Sequence, residues 1–179
     1  DGRETASSHA TNDNWLRPNG NPVSWLTATS SLSAIGVPGV PALLWDGHQR
    51  FGRLLWRENF ERSISLARDG FIPSQRFLNS ISLAREIGVS HNLDFQSLYL
   101  PNGSTPSRHI PFRNSDLAAS LTALAQGGAN EFYHGRLAGK LINDLERQQQ
   151  SSDLVKTITA DDLKNYQVKE RQPLCRKYR

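Results

Sequence analysis

Arg3 is one of sixteen arginines in this 179-residue sequence, each equipped to hold a small anion. A guanidinium presents a planar fork of donors that matches a carboxylate bidentately, and it stays charged at any working pH. It stands in the run Asp1-Gly2-Arg3-Glu4-Thr5-Ala6, where Asp1 and Glu4 either orient it by hydrogen bonding or are plain loop charges. Taken alone, these residues also fit an ordinary surface arginine. Elsewhere the chemistry-bearing residues fall out of pattern. The histidines His9, His48, His91, His109 and His134 lack the spacing of a metal site, so neither metal nor cofactor is expected. The serines form neither a Gly-x-Ser-x-Gly elbow nor a Gly-x-x-x-x-Gly-Lys-Ser/Thr phosphate loop, and no side chain reads as an activated nucleophile. Asp69 beside Arg68 could pass for a catalytic acid with a basic partner, but Asp69-Gly70 reads as a helix stop with Phe71 returning to the core. Gly36-Val37-Pro38-Gly39 is a tight turn into a helix N-terminus, a place that can bind anions, although a packed corner is the simpler reading.

The elements that position these residues are mainly helical. From Thr5 to Ser33 the chain is rich in Ser, Thr, Asn, Gly and Pro, with a turn signal at Asn19-Gly20-Asn21-Pro22. The segment is expected to be irregular, and Trp15 and Trp25 are expected to lie against the body. Val40, Leu43 and Leu44 suit a helix ending near Gly52, with Pro41 tolerated in its first turn. Trp56, Phe60, Ile64 and Ala67 form one face of a second helix, with Gly70 as a left-handed C-cap. Ser74 caps a third, which carries Phe77, Leu78, Ile81 and Ala84 and ends at Gly88. Phe95 to Leu100 fits a small strand or part of a helix. Ser115 opens a helix closed by Gly127-Gly128, and Asn130 caps the longest one, with Phe132, Tyr133, Leu137, Leu141 and Leu145 as its stripe before the polar break at 148–152. Thr159 with Asp162 is close to a capping box for a last short helix ending at Tyr166, in which Asp161 and Asp162 favour the positive end. Tyr133 and Tyr166 read as core residues with one polar end. The expected architecture is a single helical domain over 1–179, with an irregular segment at 1–35, a helical body at 36–168 and a basic tail at 169–179.

Charge distribution narrows the partners. The net charge is +4. Lys169, Arg171, Arg176, Lys177 and Arg179 against Glu170 carry all of it, so the residues before 169 are balanced. A nucleic-acid reader clusters basic residues and aromatics on a folded surface, and a solvated tail neutralised by a larger protein is the better reading. The single Cys175 allows no disulfide within the chain. The apolar stretch from Leu32 to Trp45 is interrupted by Gly36, Pro38, Gly39 and Pro41, and no membrane span is expected. There is no methionine and no signal-like leader, so both ends are expected to be cut from a longer polypeptide.

Several stretches, in order, carry a resemblance. Asp1-Gly2-Arg3-Glu4-Thr5-Ala6 is followed by Gly36-Val37-Pro38-Gly39-Val40, Ala67-Arg68-Asp69-Gly70-Phe71 and Glu131-Phe132-Tyr133-His134-Gly135. Thr159-Ala160-Asp161-Asp162-Leu163-Lys164-Asn165-Tyr166, Glu170-Arg171-Gln172-Pro173 and Tyr178-Arg179 complete the set. Together they resemble the central part of the large subunit of the γ-glutamyltranspeptidases. Two positions depart from the family pattern. Ser7 stands where proline is usual, which predicts a looser loop, and Pro41-Ala42 stands where Ala-Gly is usual.

The resemblance implies that Arg3 holds the α-carboxylate of a γ-glutamyl group. It implies an N-terminal-nucleophile hydrolase with a four-layer αββα sandwich, whose sheets and self-freed threonine lie outside this chain. The chain alone is then expected to be inactive, and its partners are the remainder of the large subunit and the small subunit carrying the nucleophile. Without the sheets, exposed apolar surface should drive self-association. A periplasmic or extracellular address is implied as well. A glutaryl (cephalosporin) acylase, a poly-γ-glutamate-processing relative and a non-catalytic interaction domain are the competing readings.

Overall fold

The computed structural model describes residues 1–86, 92–149 and 157–178. Its helices are α1 (Trp25–Thr29), α2 (Val40–Phe51), α3 (Glu61–Asp69), α4 (Gln75–Glu86), α5 (Leu93–Tyr99), α6 (Ser115–Tyr133), α7 (Arg136–Gln149) and α8 (Ala160–Lys164). Among the described residues, β structure is limited to single antiparallel bridges at Thr5 with Val37, Leu16 with Pro22 and Phe71 with Phe112. The mainly helical reading therefore holds. The chain divides into two compact units, one of residues 1–55 with 127–179 and the other of residues 56–126.

Local chemistry explains most boundaries. α2 begins at the Gly39-Val40-Pro41 turn, where proline loses no helical hydrogen bond, and Gly52 N–H closes its last turn on His48. Ser74 Oγ accepts from Phe77 N at 3.2 Å to open α4. α8 carries the full capping box: Thr159 Oγ1 accepts from Asp162 N, and the Asp162 carboxylate accepts from Thr159 N. The run from Phe95 to Leu100 is settled as helix, because Asn92 caps α5 through Phe95 N at 3.0 Å.

Other expectations change. The face of Trp56 and Phe60 starts as a 3-10 turn, and α helix begins only at Glu61. Gly70 has the expected positive φ of 98°, but ψ is 165°, which sends the chain into the Phe71–Phe112 bridge in place of a left-handed cap. Phe71, expected in the core, sits at the rim of its cluster, 37% exposed. Asn114, one residue earlier than Ser115, caps α6 through Leu117 N at 2.9 Å. α6 breaks at Gly128 (φ 61°, ψ −158°), where an added Cβ would meet the Trp45 ring at 2.7 Å. Asn130 does not cap the next helix, because α6 resumes through it and its carbonyl accepts from His134 N and Gly135 N. α7 starts only at Arg136. The first 35 residues hold α1 and short 3-10 turns, and Trp25 is 78% exposed, not covered. The predicted helix end at Gly88, the histidine His91, part of the polar break (Gln150, Ser151, Ser152) and Arg179 lie outside the described residues.

The first unit closes on Val37, Tyr133, Ile142, Leu145, Ile158 and Leu163, with Leu163 fully buried. Full burial of a side chain of this size contributes about 1.5–3 kcal/mol. The core draws on the Gly-Val-Pro-Gly turn, α6, α7 and α8, so it is also the platform on which the N-terminal segment lies.

Candidate functional site

The backbone around Arg3 is held at several points while its side chain is left open. Asp1 N donates to Lys169 O at 2.8 Å, and Lys169 N donates back to Asp1 O at 3.1 Å. Arg3 N donates to Asp1 Oδ1 at 3.1 Å, and Arg3 O accepts from the Tyr166 hydroxyl at 2.9 Å. Two residues on, Thr5 and Val37 exchange N–H···O bonds of 3.3 and 2.8 Å. Gly2 is buried, and any side chain there would collide with Leu43 of α2. The glycine in Asp-Gly-Arg thus lets the strand-like segment press onto the start of that helix.

Arg3 itself is exposed, and among the described residues its guanidinium makes no hydrogen bond or ion pair. It lines a cavity of about 140 Å³ whose wall includes Asp1, Glu4, Tyr166, Lys169 and Arg171. A fixed main chain carrying an open guanidinium fork can accept an anion without rearranging its backbone. Asp1 does not compete for that fork, because its Oδ2 accepts from Arg171 Nε at 2.7 Å. This pair, together with Arg50 on Glu170 at 3.0 Å, ties down the first residues of the segment read from sequence as a solvated tail, while residues 172–178 are exposed. Glu4 lies over Gly36, where an added Cβ would stand 3.0 Å from its Cγ.

Three of the other sequence stretches meet beneath this loop. Tyr133 donates to Pro38 O at 2.5 Å and accepts from Ala42 N at 3.3 Å, which pins the turn into α2. Its ring stacks on Tyr166 with centroids 5.5 Å apart and planes 11° from parallel. Gly39 lies so close to Gly2 O and the Tyr166 hydroxyl that a Cβ there would occupy their space. The glycines of Gly36-Val37-Pro38-Gly39 are therefore explained by close backbone approach, the simpler of the two sequence readings. Burial raises Tyr133 to about 12, helped by the neighbouring Tyr166 and opposed by the Ala42 N–H. Burial and the charge of Glu4 raise Tyr166 as well, so both phenols remain protonated donors at neutral pH.

Ser7 corrects the expectation of a looser loop. Its hydroxyl reaches Thr157 O at 3.2 Å and Asp162 Oδ2 at 3.1 Å, and Ser8 N donates to Asp162 Oδ1 at 2.9 Å. A proline at this position would offer no hydroxyl, so here the loop is fastened to the start of α8. Burial acts to raise the Asp162 carboxyl, but the hydrogen bonds from Ser8 and Thr159 outweigh it and bring it to about 2. Asp162 is thus an ionised tether across the chain as well as a helix cap, a role its sequence position does not reveal.

The remaining candidates stay structural. Asp69 accepts from Arg68 Nε and Nη2 at 2.9 and 3.0 Å and from Ser65, and these bonds lower its carboxyl to about 2. A permanently ionised carboxylate is no proton donor at neutral pH. Among the described residues no group of three His, Cys, Asp or Glu could hold a metal ion, and Cys175 is exposed. No helix among them is long and apolar enough to cross a membrane.

The family model described as gamma-glutamyltranspeptidase matches residues 1–179. The chain belongs to the γ-glutamyltranspeptidase family. It is 32% identical to glutathione hydrolase 3 of Arabidopsis thaliana, over 94% of this chain and 24% of that protein. It is 28% identical to the glutathione hydrolase proenzyme of Escherichia coli K12, over the whole of this chain and 30% of that protein. Among solved structures, the γ-glutamyltranspeptidase of Pseudomonas nitroreducens complexed with L-DON superposes with a TM-score of 0.82 at 31% identity, covering 97% of this chain and 48% of that one. The chain thus spans 24–30% of the length of these curated relatives, and about half of the solved chain.

Proposed function

We propose that this chain is the carboxylate-anchoring part of an enzyme that transfers or hydrolyses γ-glutamyl groups, glutathione among its substrates. The observation that carries the reading is Arg3: an open guanidinium on a main chain fixed by Asp1, Tyr166 and the Thr5–Val37 pair. In the whole enzyme, Arg3 grips the α-carboxylate of the γ-glutamyl group and so presents the γ-carbonyl to the nucleophile. That nucleophile is a threonine outside this chain, freed at the start of a small subunit by cleavage of a precursor, and its own amine acts as base. The name proenzyme borne by the bacterial relative agrees with such processing.

On this reading the two units work as one helical domain of a four-layer αββα hydrolase. The rest of the large subunit and the small subunit cover its apolar surface, and the isolated chain is inactive and self-associates. The address is periplasmic or extracellular. Exposed Val40, Leu44 and Phe51 on α2 support a covered face.

The test is chromophore release from a γ-glutamyl anilide by the full-length protein, wild type beside Arg3→Ala. Truncating one partner of a charge pair of this kind costs about 2–5 kcal/mol. Activity at low substrate should therefore fall by about 30-fold or more. A wild type that releases no chromophore overturns the activity, and an Arg3→Ala enzyme that keeps it overturns the anchor.

A further inference from the structure

We infer that Tyr166 is a positioning residue for the Arg3 anchor, its hydroxyl holding the main chain of Arg3 in place on a platform made by Tyr133. The inference rests on the proposed role of Arg3 and adds to it a device 163 positions away in the chain.

The geometry is specific. The Tyr166 hydroxyl donates at 2.9 Å to the carbonyl oxygen of Arg3 itself, not to a neighbouring residue of the loop. The phenol reaches that oxygen by passing Gly39, where a Cβ would occupy the place of both the hydroxyl and the Gly2 carbonyl. The Tyr166 ring cannot tilt freely, because it lies stacked on Tyr133, and Tyr133 is 5% exposed and tied to both Pro38 and Ala42 at the start of α2. The same turn meets Gly2, so the two phenols fix the Arg3 segment from two sides: Tyr166 holds it directly, and Tyr133 holds the surface on which Gly2 rests.

A guanidinium on a long side chain loses rotamer freedom when it grips a ligand. A mobile main chain beneath it would add to that loss and broaden the range of fork positions. Holding the carbonyl oxygen removes this second source of freedom without occupying any guanidinium N–H. The hydroxyl, not the ring, supplies this function. Removing it leaves packing and stack in place, so Tyr166→Phe isolates the positioning bond.

The experiment is a double-mutant cycle in the full-length protein, with Arg3→Ala, Tyr166→Phe and the double variant. Affinity for L-glutamate is read by calorimetry, and KM and kcat are read with a γ-glutamyl anilide. Tyr166→Phe should weaken glutamate binding and raise KM by about 5- to 10-fold with kcat nearly unchanged, the span of one lost hydrogen bond. In the Arg3→Ala background the same change should have little further effect, because nothing remains to position.

Binding of γ-aminobutyrate, which lacks the α-carboxylate, should not respond to Tyr166→Phe. A penalty of equal size with and without Arg3, or one shared by γ-aminobutyrate, would make Tyr166 merely structural and overturn the inference while leaving the anchor intact. An Arg3→Ala variant with unchanged affinity would overturn both. A Tyr166→Phe variant with wild-type affinity would overturn the inference alone.

Discussion

The ring cluster of residues 56–126 and the segment around Arg3 are organised by different contacts. Residues 56–126 gather Phe71, Phe77, Phe95, Tyr99 and Phe112 into an aromatic cluster, with Phe77 and Phe112 at 5.0 Å and Tyr99 stacked on Phe112 at 5.7 Å. Such contacts are broad and tolerant of small shifts. Around Arg3 the organising contacts are directed hydrogen bonds between side chains and main chain: the Tyr166 hydroxyl to Arg3 O, the Tyr133 hydroxyl to Pro38 O, and Ser8 N to the Asp162 carboxylate. The first arrangement stabilises a fold, and the second fixes a particular backbone in a particular place. In the proposed role Arg3 meets a planar carboxylate, and that role needs the second.

The comparison can be broken at several strengths, each in the full-length protein. Phe77→Ala should have the largest effect on stability, about 3–5 kcal/mol in denaturant unfolding, since it empties the centre of the ring cluster. It should leave the KM for a γ-glutamyl anilide unchanged below the melting range. A KM rise matching that of Arg3→Ala would abolish the distinction between the units. Arg3→Ala should do the reverse, losing about 2–5 kcal/mol of binding while the melting temperature stays within a degree or two.

Asp162 offers a pH-dependent version. Its carboxyl is held at about 2, below the ordinary value of 3.8, so its contribution is fully present above the ordinary value and is lost as pH falls from about 4 toward 2. That contribution is about 1–2 kcal/mol, and an Asp162→Asn variant should lose the corresponding slope in unfolding titrations over this range. Asp69, also held at about 2, should keep its own part of the slope, and a slope unchanged in the variant would assign all of it to other carboxylates. The smallest expected effect is that of Ser7→Ala, about 1 kcal/mol from the loss of its hydroxyl contacts, seen as faster proteolysis near Ser7. Unchanged proteolysis would mean that Ser8 and Asp162 hold the loop without the hydroxyl.

Local elements were legible in the sequence where the chemistry is local. Pro41 and Gly52 bracket α2, Ser74 opens α4, and the Thr159–Asp162 spacing announces α8. The expected break at Gly127-Gly128 exists at Gly128, but assigning Asn130 as a cap failed because the next turns remain in α6 up to Tyr133. Trp25 misled for another reason: a tryptophan implies cover, yet cover is a property of tertiary placement, and this one is 78% exposed.

The proposed anchor was chosen from a guanidinium in a matching loop, whereas the bonds that hold its main chain left no sign in the sequence. Tyr166 and Tyr133 read as core residues, and nothing in their spacing says that one hydroxyl ends on Arg3 and the other on Pro38. Ser7 read as a loosening substitution because its partners, Thr157 and Asp162, lie 150 and 155 positions away. Periodicity reports which face is buried, whereas a side-chain bond across such a separation leaves no periodic trace.

The most direct test of the account is a crystal structure of the full-length protein with L-glutamate bound. The account predicts the α-carboxylate on the Arg3 guanidinium, with paired N···O distances of about 2.7–2.9 Å and the Tyr166 hydroxyl still on the Arg3 carbonyl oxygen. Glutamate seated with its α-carboxylate on other donors, and Arg3 left in solvent, would contradict it.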